Sequence, residues 1–223
     1  MFVVWWAVAD RRGGHRLAGD RDSRLIQSNL WKGLSALEQA IFYWEWLPLP
    51  KAEFNILAML AEQGGSFSGN YSDMMDYFHV TRQQHNRQAI RSAIESLAAT
   101  GFITHKSQGR TQTLTVIPKD TEIPLPRAWV QSVIRHDYSG QSVAFAQVLK
   151  VFAWVVAHRK GIVTNDMIAA DLNVSASTVV SAKNVLKREY ENVRQRNVSE
   201  KLGENFFRNL GQELEANAWW TEI

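Results

Sequence analysis

Apolar residues recur at three- and four-residue steps through much of this chain, and the pattern predicts a run of helices interrupted by one hairpin. Residues 30–47 set Leu30, Trp31, Leu34, Leu37, Ile41, Trp44 and Leu47 on one face of an amphipathic helix that Pro48 and Pro50 stop. Over 52–62, Phe54, Leu57, Leu60 and Ala61 line a second helix, ended by Gly64 and Gly65. A short third helix is predicted over 73–78, with Ser72 placed to cap its free amides. A long helix then ends near Thr100, where Gly101 takes the left-handed position that terminates helices.

The pattern changes at residue 102. Ile103, Leu114, Val116 and Ile117 flank a polar tip at 107–111 that contains Gly109, which reads as a β-hairpin. Three prolines in 118–126 then argue for an extended linker. Beyond it, residues 143–158 are apolar enough for a buried helix that Gly161 breaks. A short strand at Ile162 and Val163 follows, then a helix over 166–172 capped by Thr164, a turn at Asn173 and Val174, and a helix capped by Ser175. The order repeats that of the first half. The expected fold is mainly α, with tandem helix-turn-helix domains, the first a winged helix with a small β-hairpin. Its parts are an N-terminal arm at 1–29, the amphipathic helix and winged unit at 30–118, the Pro-containing linker at 119–140, and a second unit with C-terminal helices at 141–223.

A helix-turn-helix packs one helix across a second, so that the second lies in the major groove with its polar face outward. In the first unit Ile90, Ala93, Ile94 and Leu97 make the inner stripe of that second helix. Around them stand Arg82, Gln83, Gln84, Asn86, Arg87, Gln88 and Arg91. These types suit base edges and phosphates, because Arg pairs with guanine and Asn or Gln with adenine. The helix begins at Thr81 or at Asn86 on this reading. The hairpin tip adds Lys106, Gln108 and Arg110 for phosphates or the minor groove. In the second unit Ile168, Ala169, Leu172, Val179, Ala182, Val185 and Leu186 form the inner face. The outer face offers Ser177, Thr178, Ser181, Asn184, Lys187 and Arg188.

Residues 52–117 resemble the winged helix-turn-helix of bacterial regulators of the MarR and GntR kind, and also that of plasmid replication initiators. The resemblance rests on the helices at 54–60 and 72–78 and on the run AIRSAIESLAATGFI at 89–103. It implies that Asn86, Arg87, Gln88 and Arg91 face DNA. Residues 143–190 are similar to a plainer helix-turn-helix with no wing after it.

Composition narrows the rest. Nine Trp residues and a charged fraction of 21% argue for a folded chain. The absence of Cys removes disulfide frameworks, zinc ribbons and thiol chemistry, and makes a reducing cytoplasm the natural compartment. The apolar run at 1–9 is far shorter than the ~20 residues of a membrane span, and Arg11 and Arg12 follow it, opposite to a secretory signal. No membrane partner is expected. A net charge of +3 is too small to point to nucleic acid without the local clustering of Arg. The Gly-rich stretch at 64–70 lacks the Lys-Ser/Thr ending of a phosphate loop. His79 and His85 have no Cys or carboxylate beside them to complete a metal site, and no catalytic grouping stands out. Neither enzyme activity nor a cofactor is expected.

The expected function is sequence-specific binding of double-stranded DNA in transcriptional control. The alternatives are a plasmid or phage replication initiator or partition factor, and a protein-interaction module built on the same fold. A homodimer is a further expectation, through Trp31, Trp44 and Trp46 or through Phe206, Phe207, Trp219 and Trp220; packing of the first aromatic group against the second unit is the alternative.

Overall fold

Strand β1 (Gln39–Tyr43) opens the part of the chain that the computed structural model describes, residues 39–136, 143–158 and 164–195. A helix was expected here. Instead Ala40 and Phe42 are buried and alternate with the half-buried Gln39 and Ile41, the two-residue period of a strand. Ile41, Phe42 and Tyr43 in succession favour extended backbone. The apolar steps that looked helical come from a 3₁₀ turn that follows directly, Trp44–Trp46, which carries Trp46 and Leu47 into the core. Residues 30–38 of the expected helix lie outside the described residues.

Helix α1 (Lys51–Glu62) starts after Pro50, and every residue from Ile56 to Glu62 is buried. A helix apolar on all sides belongs at the centre of a molecule. Then come β2 (Ser66–Gly69), α2 (Tyr71–Tyr77), α3 (Gln84–Ala99), β3 (Ile103–Gln108) and β4 (Thr111–Val116). These three strands form one antiparallel sheet in the order β2-β4-β3. The hairpin β3-β4 was expected. Strand β2 lies in the Gly-rich stretch, where Ser and Gly leave no apolar alternation to read.

The expected linker is also built into the fold. Residues 122–126 form β5 (Glu122–Pro126), antiparallel to β1, and α4 (Arg127–Arg135) follows at once. Trp44 N donates to Thr121 O at 3.1 Å, so the hydrogen-bonded positions of this ladder run through 121, 123 and 125. Pro124 and Pro126 occupy the intervening positions, and both missing N–H groups fall on the outer edge. Proline alone did not exclude a strand; its two-residue spacing fits an edge.

Helices α5 (Phe145–Ala157), α6 (Asn165–Leu172) and α7 (Ala176–Gln195) complete the described chain. The expectation of a mainly α fold is thereby corrected. Among the described residues, seven helices and two small antiparallel sheets of five strands give about 58% helix and about 19% strand, a mixed α/β fold. Three of the five strands are those that helical periodicity, proline content and small residues concealed.

The halves share one core. Helix α1 meets β1, β4, α3, α4 and α5, and α5 is itself buried from Val148 to Val156. Aromatic rings join them: Phe42 lies 6.0 Å from Phe54, Trp129 4.0 Å from Phe152, and Phe78 stacks on Phe145 at 6.3 Å. Among the described residues no helix is long and apolar enough to cross a membrane.

Lys150 is buried in the middle of this core. Its Nζ donates to the carbonyl of Leu49 and sits 5.1 Å from the centre of the Phe54 ring. Burial pushes its pKa down from 10.5 to about 8, against the pull of Glu53. Between those values the unfolded chain holds the extra proton, so this group adds stability as pH rises from about 8 to about 10.5 and withdraws it on the way down. The difference in urea midpoint between the protein and its Lys150→Met variant is expected to grow in favour of the parent from pH 8 to pH 10. A difference independent of pH over that range would contradict the burial of the ammonium.

Candidate nucleic-acid interface

The turn between α2 and α3 is set by caps at each end. Asn70, not Ser72, caps α2: its Oδ1 accepts from the amides of Ser72 at 2.7 Å and Asp73 at 3.2 Å. Asp73 Oδ2 accepts in return from the Asn70 amide at 2.7 Å, a reciprocal capping box. Helix α2 closes with His79 at φ 53°, and Val80 N reaches back to Met75 O at 2.9 Å. Met74 and Met75 are buried beneath this turn.

After Val80 the chain runs to Gln83, which caps α3 through its backbone only. Helix α3 therefore begins at Gln84, between the two starts left open by the sequence. Arg82 and Gln83 precede it, and Asn86 turns inward: its Nδ2 donates to Thr81 O at 2.9 Å and Thr81 Oγ1 at 3.2 Å. The amide donors of Asn86 are committed to the turn. Ile90, Ala93, Ile94 and Leu97 are buried, and opposite them Gln84, Gln88, Arg91 and Glu95 form an exposed stripe with Arg87 on its flank.

The charges of this surface are partly spent. Arg82 donates from Nε and Nη2 to the two carboxylate oxygens of Asp76, and this holds the Asp76 carboxyl below its usual range. Arg91 Nε donates to Glu95 Oε1 at 2.8 Å. Arg87, Lys106 and Arg110 make no ion pair among the described residues. Asp76 and Glu95 were missed as site residues because only the folded turn brings Asp76 to Arg82, although the four-residue spacing of Arg91 and Glu95 was readable.

The hairpin is closed by two residues, Gly109 and Arg110, between the paired Gln108 and Thr111. Gly109 has φ 60° and Arg110 does not enter the left-handed region, so the turn is of type II′ with glycine first. Arg110 stands at the tip. Lys106 and Gln108 are exposed on one face of β3, while Gln112 is buried on the other.

The second unit repeats the turn. Thr164 Oγ1 caps α6 by accepting from Met167 N at 3.2 Å, Asn173 is left-handed at φ 53°, and Val174 N donates to Ala169 O at 3.0 Å. Ser175 Oγ accepts from Thr178 N at 3.2 Å and lies 2.9 Å and 2.8 Å from the hydroxyls of Ser177 and Thr178. On α7, Ser177, Asn184 and Arg188 are exposed, and Thr178, Ser181 and Lys187 are half-buried. Lys183, at a position the apolar period passes over, is buried with Nζ donating to Asn165 Oδ1 at 3.1 Å. Trp154 Nε1 ties α5 to α6 through Asp171 Oδ2 at 2.9 Å.

The aromatic residues proposed for a dimer divide. Trp46 is fully buried, edge-on to Tyr43 at 4.9 Å and to Phe42 at 5.9 Å, so it is a core residue and not an interface. Trp44 is half-buried against His158, which in turn stacks on Trp154 at 4.3 Å. Trp31, Phe206, Phe207, Trp219 and Trp220 lie outside the described residues. No protein-family model matches this chain, and neither does any curated protein or solved structure.

Proposed function

We propose that this protein binds double-stranded DNA sequence-specifically, as a transcriptional regulator acting in the cytoplasm. One observation carries the reading. The exposed stripe of α3 and the Arg110 tip belong to a continuous order of helix, strand, helix, helix and hairpin, from α1 to β4, which is the order of a winged helix. A helix of this width enters the major groove, and Gln84, Gln88 and Arg91 are the side chains it offers to base edges there. Arg87, Lys106 and Arg110 neutralise phosphates and fix the orientation, while Gln108 hydrogen-bonds to the backbone beside them. Helix α7 supplies a second, weaker reader through Ser177, Thr178, Ser181, Asn184, Lys187 and Arg188.

The ion pairs of Arg82 and Arg91 with acidic neighbours favour a second reading, a protein-interaction module whose surface is closer to neutral. Salt separates the two. Three phosphate contacts predict that log K for a selected duplex falls with log salt at a slope of about −3. Selection from a random duplex pool, followed by titration of the selected site at several salt concentrations, is the test. Failure to enrich any sequence, with no salt-dependent duplex binding, rejects the DNA reading. An enriched site present as direct repeats at an origin of replication would turn the regulator into an initiator.

A further inference from the structure

We propose that Gln112 is a positioning residue that fixes the orientation of Arg110 at the hairpin tip; the role of Arg110 itself rests on the DNA-binding reading above. Gln112 stands where the sheet changes width. It is the last residue of β4 paired on both sides, to Gly69 of β2 and to Ser107 of β3. Beyond it only Thr111, paired with Gln108, and the Gly109-Arg110 turn remain, and they overhang the sheet as a two-stranded ribbon. Such a ribbon is marginal in water without a third strand or a packed face.

The side chain of Gln112 replaces that missing support. Although polar, it is only 4% exposed. Its Oε1 accepts from His105 Nε2 at 2.8 Å. Its Nε2 donates to Ser107 Oγ at 3.1 Å and to the carbonyl of Arg110 at 3.4 Å. One side chain thus ties two residues of β3 at the base of the overhang to the backbone of the tip residue. A leucine of similar volume would fill the space and hold none of them. A hydrophobic position by sheet alternation is occupied by an amide because the tip needs donors.

The experiment is a double-mutant cycle on the full chain with Gln112→Leu and Arg110→Ala, read by affinity for a selected duplex and by amide relaxation of Gly109 and Arg110. Gln112→Leu is expected to loosen those two amides while leaving the unfolding midpoint close to that of the parent. It is expected to weaken duplex binding about tenfold, as Arg110→Ala does, because each removes the same charge-assisted contact. The double variant is expected to bind no more weakly than either single one. The salt slope should fall by about 1 in all three. Ser107→Ala, which removes one partner and no core volume, is expected to move the amides the same way and serves if the leucine variant folds poorly. Additive losses in the cycle, or amides as rigid in Gln112→Leu as in the parent, overturn the proposal. A parent chain that binds no duplex overturns the DNA reading alone, since the relaxation of Gly109 and Arg110 still decides whether Gln112 orders the tip.

Discussion

Replacing Trp46 with alanine is expected to lower the free energy of unfolding by about 3–5 kcal/mol, with no change in oligomeric state. The indole is fully buried among Phe42, Tyr43 and the residues of the central core, so its removal leaves a void that the surrounding strand and 3₁₀ turn cannot close. Its Nε1 is buried with no hydrogen-bond partner among the described residues, an unpaired donor that costs about 1–3 kcal/mol. Trp46→Phe removes that donor together with part of the ring, and the two effects offset each other. The phenylalanine variant is therefore expected to lie much closer to the parent than the alanine variant does. Urea unfolding with an unchanged m-value and a lowered midpoint is the measurement. A small loss in stability accompanied by a change in mass by light scattering would instead put Trp46 at a subunit contact.

The second large effect concerns DNA. Arg87→Ala combined with Arg110→Ala is expected to weaken binding of the selected duplex about 100-fold, at roughly tenfold for each charged contact. The salt slope should become shallower by about 2, since each phosphate contact contributes about 0.9. Both side chains are exposed, so the unfolding midpoint should stay where it is. Arg82→Ala and Arg91→Ala are expected to cost less, because these guanidinium groups must first give up Asp76 and Glu95. Glu95→Gln is expected to tighten binding by releasing Arg91. Equal losses at all four arginines would show that the duplex opens the ion pairs without penalty and would sink the ranking.

Much of the helical framework was legible because burial and period agreed. The core stripe of α3 and the inner faces of α6 and α7 carry apolar residues at the positions that are buried. The strands were harder. In 39–47 a strand and a 3₁₀ turn in sequence mimic three- and four-residue steps, and only the pairing with β5, more than seventy residues away, selects the extended form. Strand β2 is Ser-Phe-Ser-Gly, four residues with one large apolar side chain, and its evidence lies in β4. The site shows the same limit. Exposure of Arg87, Gln88 and Arg91 followed from the period, whereas the inward turn of Asn86 and the closure of Arg82 on Asp76 depend on the path between α2 and α3. Lys150, Lys183 and Gln112 sit at positions where a polar residue reads as exposed. The two lysines are buried because an oxygen from another segment meets each ammonium, and Gln112 because it bonds across to Ser107 and back to the Arg110 carbonyl.

The edge pairing of β1 with β5 also bears on the order in which the chain is expected to fold. Bringing Gln39 opposite Pro126 closes a loop through the whole of α1, β2, α2, α3, β3 and β4. The entropy of that closure is lost before any contact of the ladder compensates it, whereas the hairpin and the α2-α3 turn close over a few residues. The enclosed segment is therefore expected to condense first and shorten the loop, with low φ-values in β1 and β5 as the result that checks it. On that order, substitutions that weaken the ladder fastening the two ends of the enclosed segment are expected to speed unfolding far more than they slow folding.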